Sequence, residues 1–185
     1  MLEEIIIAGF GGQGVLSMGM TLAYAGMVED KEISWMPSYG PEMRGGTANC
    51  ITILSDSKIS SPIISNFDSA IILNQPSMDK FESKIKEGGL LIYESTNIRE
   101  VSKRDDIEII GIPAAQEAIN MKNSRILNMI MLGAFLEKRP VVKIDSIIEA
   151  LKKVLPERYH NTLPLNREAL EKGAALIETE SKVLS

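Results

Sequence analysis

Short apolar runs alternate along the chain with longer stretches in which apolar residues recur every three or four positions. That alternation predicts strands and helices of a parallel α/β sheet. The first run, Glu4–Ala8, contains Ile5, Ile6 and Ile7 in succession, a strand apolar on both faces, as expected where helices cover both sides of a sheet. Leu16, Met20, Ala23 and Met27 then predict a helix over residues 12–29 with one buried stripe. Glu32–Met36 reads as a second strand ended by Pro37, followed by a loop at 37–46 and a third strand at Thr47–Leu54. Asp68–Asn74 is a fourth. Pro76–Glu87 reads as a helix with proline in its first turn, a Met78, Phe81 and Ile85 stripe, and Gly88 beyond its end as a C-cap. Leu90–Tyr93 and Ile107–Ile112 complete the strands.

From about Ala114 the pattern is helical. Ser124–Lys138 is the most apolar helix. Ser146 and Glu149 have the spacing of a capping box, with Ile147, Ile148, Leu151 and Leu155 on one face before Pro156. Asn166 is placed to cap a last helix that turns Leu170, Ala174 and Ile177 inward. The expected fold class is α/β, a single domain over residues 1–185. Its mainly parallel sheet carries helices on both faces, a Rossmann-like start and extra helices at the C-terminal end.

Composition narrows the chemistry. Of the 185 residues, 44% are hydrophobic and 24% charged, which is globular composition rather than disordered. One cysteine, Cys50, excludes a disulfide framework, and it excludes a cysteine-ligated zinc or iron–sulfur site built by this chain alone. One histidine leaves any Ser-His-Asp triad dependent on His160. The net charge of −5 gives no reason to bind a nucleic-acid backbone. The longest apolar stretch, Ile126–Leu136, is interrupted by Asn128 and falls well short of the roughly 20 residues a spanning helix needs. With an acidic start at Glu3 and Glu4, no secretory leader is expected; the expected location is cytoplasmic, without metal, membrane or nucleic-acid partners.

Two segments carry candidate chemistry. Gly9-Phe10-Gly11-Gly12-Gln13-Gly14 satisfies G-x-G-x-x-G between a strand and a helix, where glycines permit a tight turn and the helix N-terminus offers free N–H groups. The acidic partner that holds ribose hydroxyls in dinucleotide sites is missing, because the second strand ends in Trp35-Met36-Pro37-Ser38. The turn therefore admits three readings: an NAD site, a packing turn, or a seat for an anion or a partner's backbone. The second segment is Pro37-Ser38-Tyr39-Gly40-Pro41-Glu42-Met43-Arg44-Gly45-Gly46-Thr47. It leaves the same sheet edge, and Arg44 can clamp a phosphate or carboxylate or pair across an interface. A stiff loop with a solvated Arg44–Glu42 pair is the plainer reading, against which its length argues.

Together these two segments, the second continuing through Ala48-Asn49-Cys50, resemble the gamma subunit of 2-oxoacid:ferredoxin oxidoreductases. Asn74-Gln75-Pro76, Gly88-Gly89-Leu90-Leu91 and the helix around Asn128–Gly133 extend the resemblance over residues 3–180. The loop is most similar to the 2-oxoglutarate branch, then the branched-chain 2-oxoisovalerate branch, then pyruvate. The resemblance implies a subunit rather than a complete enzyme. Alpha, beta and ferredoxin-like delta partners would hold thiamine diphosphate, magnesium and iron–sulfur clusters and pass electrons to ferredoxin. This chain would supply no catalytic residue. The Gly9, Gly11, Gly12, Gln13, Gly14 turn and Ser38, Tyr39, Arg44, Gly45 and Gly46 of the long loop would bind coenzyme A or meet other subunits. The absence of a Gly-Asp-Gly…Asn diphosphate motif agrees. A free-standing NAD oxidoreductase, a ligand-free scaffold and a homodimer of the isolated chain remain as alternatives.

Among the remaining tempting residues, Cys50 reads as a buried inert thiol and His160 as a surface or interface residue. Met121, Met129 and Met131 read as core, Trp35 as an anchor for the loop after it, and Lys103-Arg104-Asp105-Asp106 as a solvated turn.

Overall fold

The computed structural model describes residues 1–39 and 47–183. One sheet of six strands organises it: β1 (Leu2–Phe10), β2 (Glu32–Tyr39), β3 (Thr47–Ser55), β4 (Phe67–Ile72), β5 (Ile85–Glu94) and β6 (Glu108–Ile112), in the spatial order β2-β3-β1-β4-β5-β6. The β1–β4–β5–β6 portion is parallel, as the apolar runs predict. Strand β3 is antiparallel and lies between β1 and β2, pairing Ile6 with Ile51 and Met36 with Ile51.

Among the described residues six helices cover the sheet unequally: α1 (Val15–Val28), α2 (Gln75–Phe81), α3 (Ala114–Asn120), α4 (Leu127–Lys138), α5 (Ile144–Val154) and α6 (Leu163–Val183). One face, with Ile5, Ile7, Ile71 and Ile92, packs under α1, α3 and α4 and on into α5 and α6. The other, with Ile6, Ala8, Ala70, Ile72 and Leu91, is covered by Met78 and Phe81 of α2 and by Ile98. The successive isoleucines of β1 therefore divide between two cores. Among the described residues no helix is long and apolar enough to cross a membrane.

Several local expectations are corrected. Strand β2 continues through Pro37 to Tyr39, because β2 is an edge strand, where a missing N–H is tolerated. The helix after Pro76 stops at Phe81, passes through a short 3₁₀ turn and becomes β5 at Ile85, which pairs with Phe67. Gly88 is thus not a C-cap. It sits inside β5 at φ +74° beside a register shift, and its N–H donates to the Asp106 carbonyl. The stripe assigned to α1 fails at Met27, which is 54% exposed, while Val15, Met18, Leu22 and Ala25 face the core.

Ser146 and Glu149 do not form a capping box, because α5 begins earlier, at Ile144. Its first turn is capped from another helix instead. The Glu29 carboxylate, just past α1, accepts hydrogen bonds from the Lys143 N–H (2.6 Å) and the Ser146 hydroxyl (2.7 Å). Asn166 lies inside α6 and donates to the Thr162 carbonyl rather than capping the helix. Leu170 and Ile177 turn inward as expected, with Ala174 half-buried. Arg104 is no solvated residue: it pairs with Asp106 and donates to the Glu82 and Ile85 carbonyls, stapling the 3₁₀ turn. Met129 and Met131 are core, and Met121 is half-buried against it.

Helices α4 and α6 meet backbone to backbone. A Cβ on Gly133 would collide with the Leu170 carbonyl, and one on Gly173 with the Ile130 carbonyl. Gly133→Ala should therefore cost about 2 kcal/mol of stability, read as a lower urea midpoint at unchanged m-value.

At the other end of the sheet, burial raises the pKa of Glu3 despite its hydrogen bond from the Ser69 hydroxyl (2.5 Å) and Arg139 at 3.7 Å. A raised carboxylate favours the folded state below its ordinary value and loses that contribution as pH rises through the folded value. Glu3→Gln should accordingly gain stability relative to the parent between about pH 4 and pH 7, as measured by urea unfolding at each pH.

Candidate functional site

The glycine-rich turn leaves the C-terminal end of β1. Strand β3 starts beside it, with Phe10 opposite Thr47, and Tyr39 at the end of β2 pairs with Ala48. The turn and both ends of the 37–47 segment therefore share one sheet edge, as expected. Gly40, Pro41, Glu42, Met43, Arg44, Gly45 and Gly46 lie outside the described residues. Ser38 is exposed at the end of β2, opposite Asn49.

Gln13 organises the turn from within. Its Oε1 accepts the Phe10 N–H (2.6 Å), its Nε2 donates to the Leu73 carbonyl (3.3 Å) at the end of β4, and its own N–H donates to the Phe10 carbonyl (3.2 Å). Both ends of the side-chain amide are thereby committed to backbone, and Gln13 ties the turn to two neighbouring strands. Gly9 is close-packed between Gln13 and Leu73, where a Cβ would stand 2.7 and 2.8 Å from their atoms. Gly11 and Gly12 are exposed at the tip, and Gly12 adopts φ +96°, a conformation that other residues rarely take.

Gly14 is the N-cap of α1 at φ +78°, with no side-chain cap and no acidic residue in the first turn. The Met18 N–H to Gly14 carbonyl bond (2.8 Å) closes the first turn, leaving its earlier N–H groups and the positive end of the helix dipole toward the loop. A Cβ on Gly14 would stand 2.5 Å from Asn128 Nδ2. A cleft of about 290 Å3 opens beside this contact, between α1, the start of α4, the end of α5 and the start of α6. Asn128, Arg125 and Ser17 were not singled out from sequence as binding residues. The available signal was Asn128 itself, one polar residue breaking the apolar run Ile126–Leu136.

The dinucleotide reading loses its geometry. Strand β3 intervenes between β1 and β2, so the end of β2 lies two strand spacings, roughly 10 Å, from the glycine turn. Neither Ser38 nor Tyr39 supplies the carboxylate that such a site uses. At the same edge Glu94 is fully buried and satisfied, accepting from the Thr96, Asn97 and Ala115 N–H groups, which fixes the turn after β5 and the start of α3.

Cys50 is buried against Gly19, Thr52 and Trp35, and its thiol donates to the Val15 carbonyl (3.6 Å). Burial pushes that thiol up to about 12. Trp35 is half-buried against the core beneath α1 and holds this end of β2 in place. The donor set does not fit an iron–sulfur cluster or structural metal: the sole cysteine is sealed, and among the described residues no three His, Cys, Asp or Glu side chains converge. His160 lies on a 3₁₀ turn with its Nε2 against the Leu155 carbonyl (3.0 Å).

Cys50 in the folded protein should resist a thiol reagent such as dithionitrobenzoate from about pH 6 to 9 and react only on unfolding. Gln13→Ala should destabilise the protein by about 1 kcal/mol through the two backbone bonds it releases, read as a fall in the urea midpoint.

The model of the family described as pyruvate ferredoxin/flavodoxin oxidoreductase matches residues 4–176. The ketoisovalerate oxidoreductase subunit VorA of Methanothermobacter thermautotrophicus is 38% identical over 92% of this chain and 35% of its own length. The 2-oxoglutarate synthase subunit KorC of Methanocaldococcus jannaschii is 32% identical over 94% of this chain and 92% of its own. Among solved structures, the 2-oxoglutarate:ferredoxin oxidoreductase of Magnetococcus marinus superposes with a TM-score of 0.87 at 27% identity, covering 96% of this chain and 31% of that one. The chain thus spans about a third of the length of VorA and of the Magnetococcus chain. On the family match and the two relatives, the chain belongs to the pyruvate ferredoxin/flavodoxin oxidoreductase family.

Proposed function

We propose that the chain is the gamma subunit of a cytoplasmic 2-oxoacid:ferredoxin oxidoreductase, forming one domain over residues 1–185 that packs against the cofactor-bearing subunits. The observation that carries this reading is the sheet edge where the Gln13-braced glycine turn meets the ends of the 37–47 segment. Among the described residues the edge presents backbone and a helix N-terminus. Thiamine diphosphate, magnesium and iron–sulfur clusters belong to alpha, beta and delta partners in this reading; a sealed single thiol agrees with their lying elsewhere.

Oxidative decarboxylation of the 2-oxoacid, transfer of the acyl group to coenzyme A and delivery of two electrons to ferredoxin would take place on those subunits. At this chain's edge the role is to bind. The glycine turn, Ser38 and Tyr39, with Arg44, Gly45 and Gly46, hold part of coenzyme A or close over it, with Arg44 pairing a phosphate. The Magnetococcus relative carries coenzyme A and succinyl-CoA, which supports the ligand class.

The substrate proposed is 2-oxoglutarate, the family branch to which the loop is most similar, and the KorC relative matches nearly end to end. A branched-chain 2-oxoacid is the second reading, favoured by the 38% identity to VorA.

Native purification of this chain without oxygen should bring down stoichiometric partners containing thiamine diphosphate and iron–sulfur clusters. The complex should reduce ferredoxin fastest with 2-oxoglutarate. Fastest turnover with 2-oxoisovalerate selects the second reading, and a lone monomer or homodimer sinks both. In the intact complex, Arg44→Ala should raise the KM for coenzyme A about tenfold and leave that for the 2-oxoacid unchanged.

A further inference from the structure

The cleft beside Gly14 is built differently from the sheet edge above it. Its polar wall includes Ser17, Arg125 and Asn128 beside Asn123 and Asn166, and its apolar floor includes Leu151, Leu155 and Leu165. Among the described residues no aspartate or glutamate lines it, although the chain carries 25 acidic residues against 20 basic ones.

Asn128 is only 9% exposed. Its Oδ1 accepts the Met129 N–H (3.0 Å), which fixes which way the amide faces. Nδ2 is thereby turned toward Gly14 and the uncapped first turn of α1, and it makes no hydrogen bond among the described residues. Nδ2 is not one of the fully buried atoms left without a partner, so it stays open to an acceptor in the cleft. Arg125 is exposed at the rim and has no ion pair among the described residues. Three kinds of donor thus border the cleft: the start of α1 at Gly14 and Ser17, an amide and a guanidinium. This is the chemistry of a receptor for a small anion. The floor beyond is hydrocarbon, so the anion must carry an apolar body. At about 290 Å3 the space is at the lower limit of ligand pockets and suits a small acid.

We propose that this cleft binds a small aliphatic monocarboxylate, with its carboxylate on the α1 N-terminus, Asn128 Nδ2 and Arg125, and its hydrocarbon body on Leu151, Leu155 and Leu165. The proposal does not rest on the coenzyme A reading, which concerns the sheet edge.

Isothermal titration of the full chain with isovalerate tests it, with 3-methylbutanol as the uncharged control of the same shape. The expected result is saturable binding of isovalerate at one site and none of the alcohol over the same range. Asn128→Asp preserves the acceptor to Met129 and replaces the donor with a charge, and should abolish binding. Arg125→Ala changes only an exposed side chain, keeps the test decisive if the first variant misfolds, and should weaken binding about tenfold. Three results overturn the proposal: no saturable binding, equal binding of the alcohol, or undiminished binding by Arg125→Ala. Binding by the chain but not by its purified complex also overturns it, in favour of a partner's side chain filling the cleft.

Discussion

The arrangement rests on how closely α4 approaches α6. Helix α4 is buried from Asn128 to Leu136 and lies between the sheet and α6, so it has no solvent face with which to absorb a misfit. The glycines at 133 and 173 remove the side chains that would hold the two backbones apart. The start of α4 is thereby brought down to the first turn of α1, where Asn128 fills the space a Cβ on Gly14 would take. The cleft and the glycine turn inherit their geometry from that contact, together with the Gln13 brace between β1 and β4. Interiors packed at crystal-like density transmit such constraints over several turns of helix.

The broad architecture was legible because its signals are redundant. Ile5, Ile6 and Ile7 required two cores, and the helical stripes required covering layers. The failures share a cause: each was a local rule overridden by a partner distant in sequence. Pro37 normally ends a strand, but nothing in residues 32–39 reveals that β2 is at the edge. Gly88 resembles a C-cap until Ile85 is known to pair with Phe67, 18 positions earlier. Ser146 resembles a cap until Glu29 is known to supply the carboxylate. The antiparallel insertion of β3 was likewise illegible, since Thr47–Ser55 is as apolar as a parallel strand would be.

The candidate site divides in the same way. That the glycine turn and the 37–47 segment share an edge followed from strand order, because both leave C-terminal ends of strands that point the same way. The internal use of Gln13 did not follow, because a glutamine in a glycine loop looks like a ligand contact until both ends of its amide are seen to be occupied. Asn128 was visible only as an interruption, and its meaning depended on the Met129 N–H that turns its amide toward Gly14.

The carboxylate of Glu29 has a mechanical consequence. Helices α1 and α5 run side by side in opposite directions, and Glu29 fastens the end of one to the beginning of the other. At the far end, Gly14 and Ser17 face Leu151 and Leu155 across open space. The pair is thus fastened by polar bonds at one end and parted by the cleft at the other. Loss of the Glu29 carboxylate would release both bonds at that end at once, leaving only side-chain packing to hold the two helices in register.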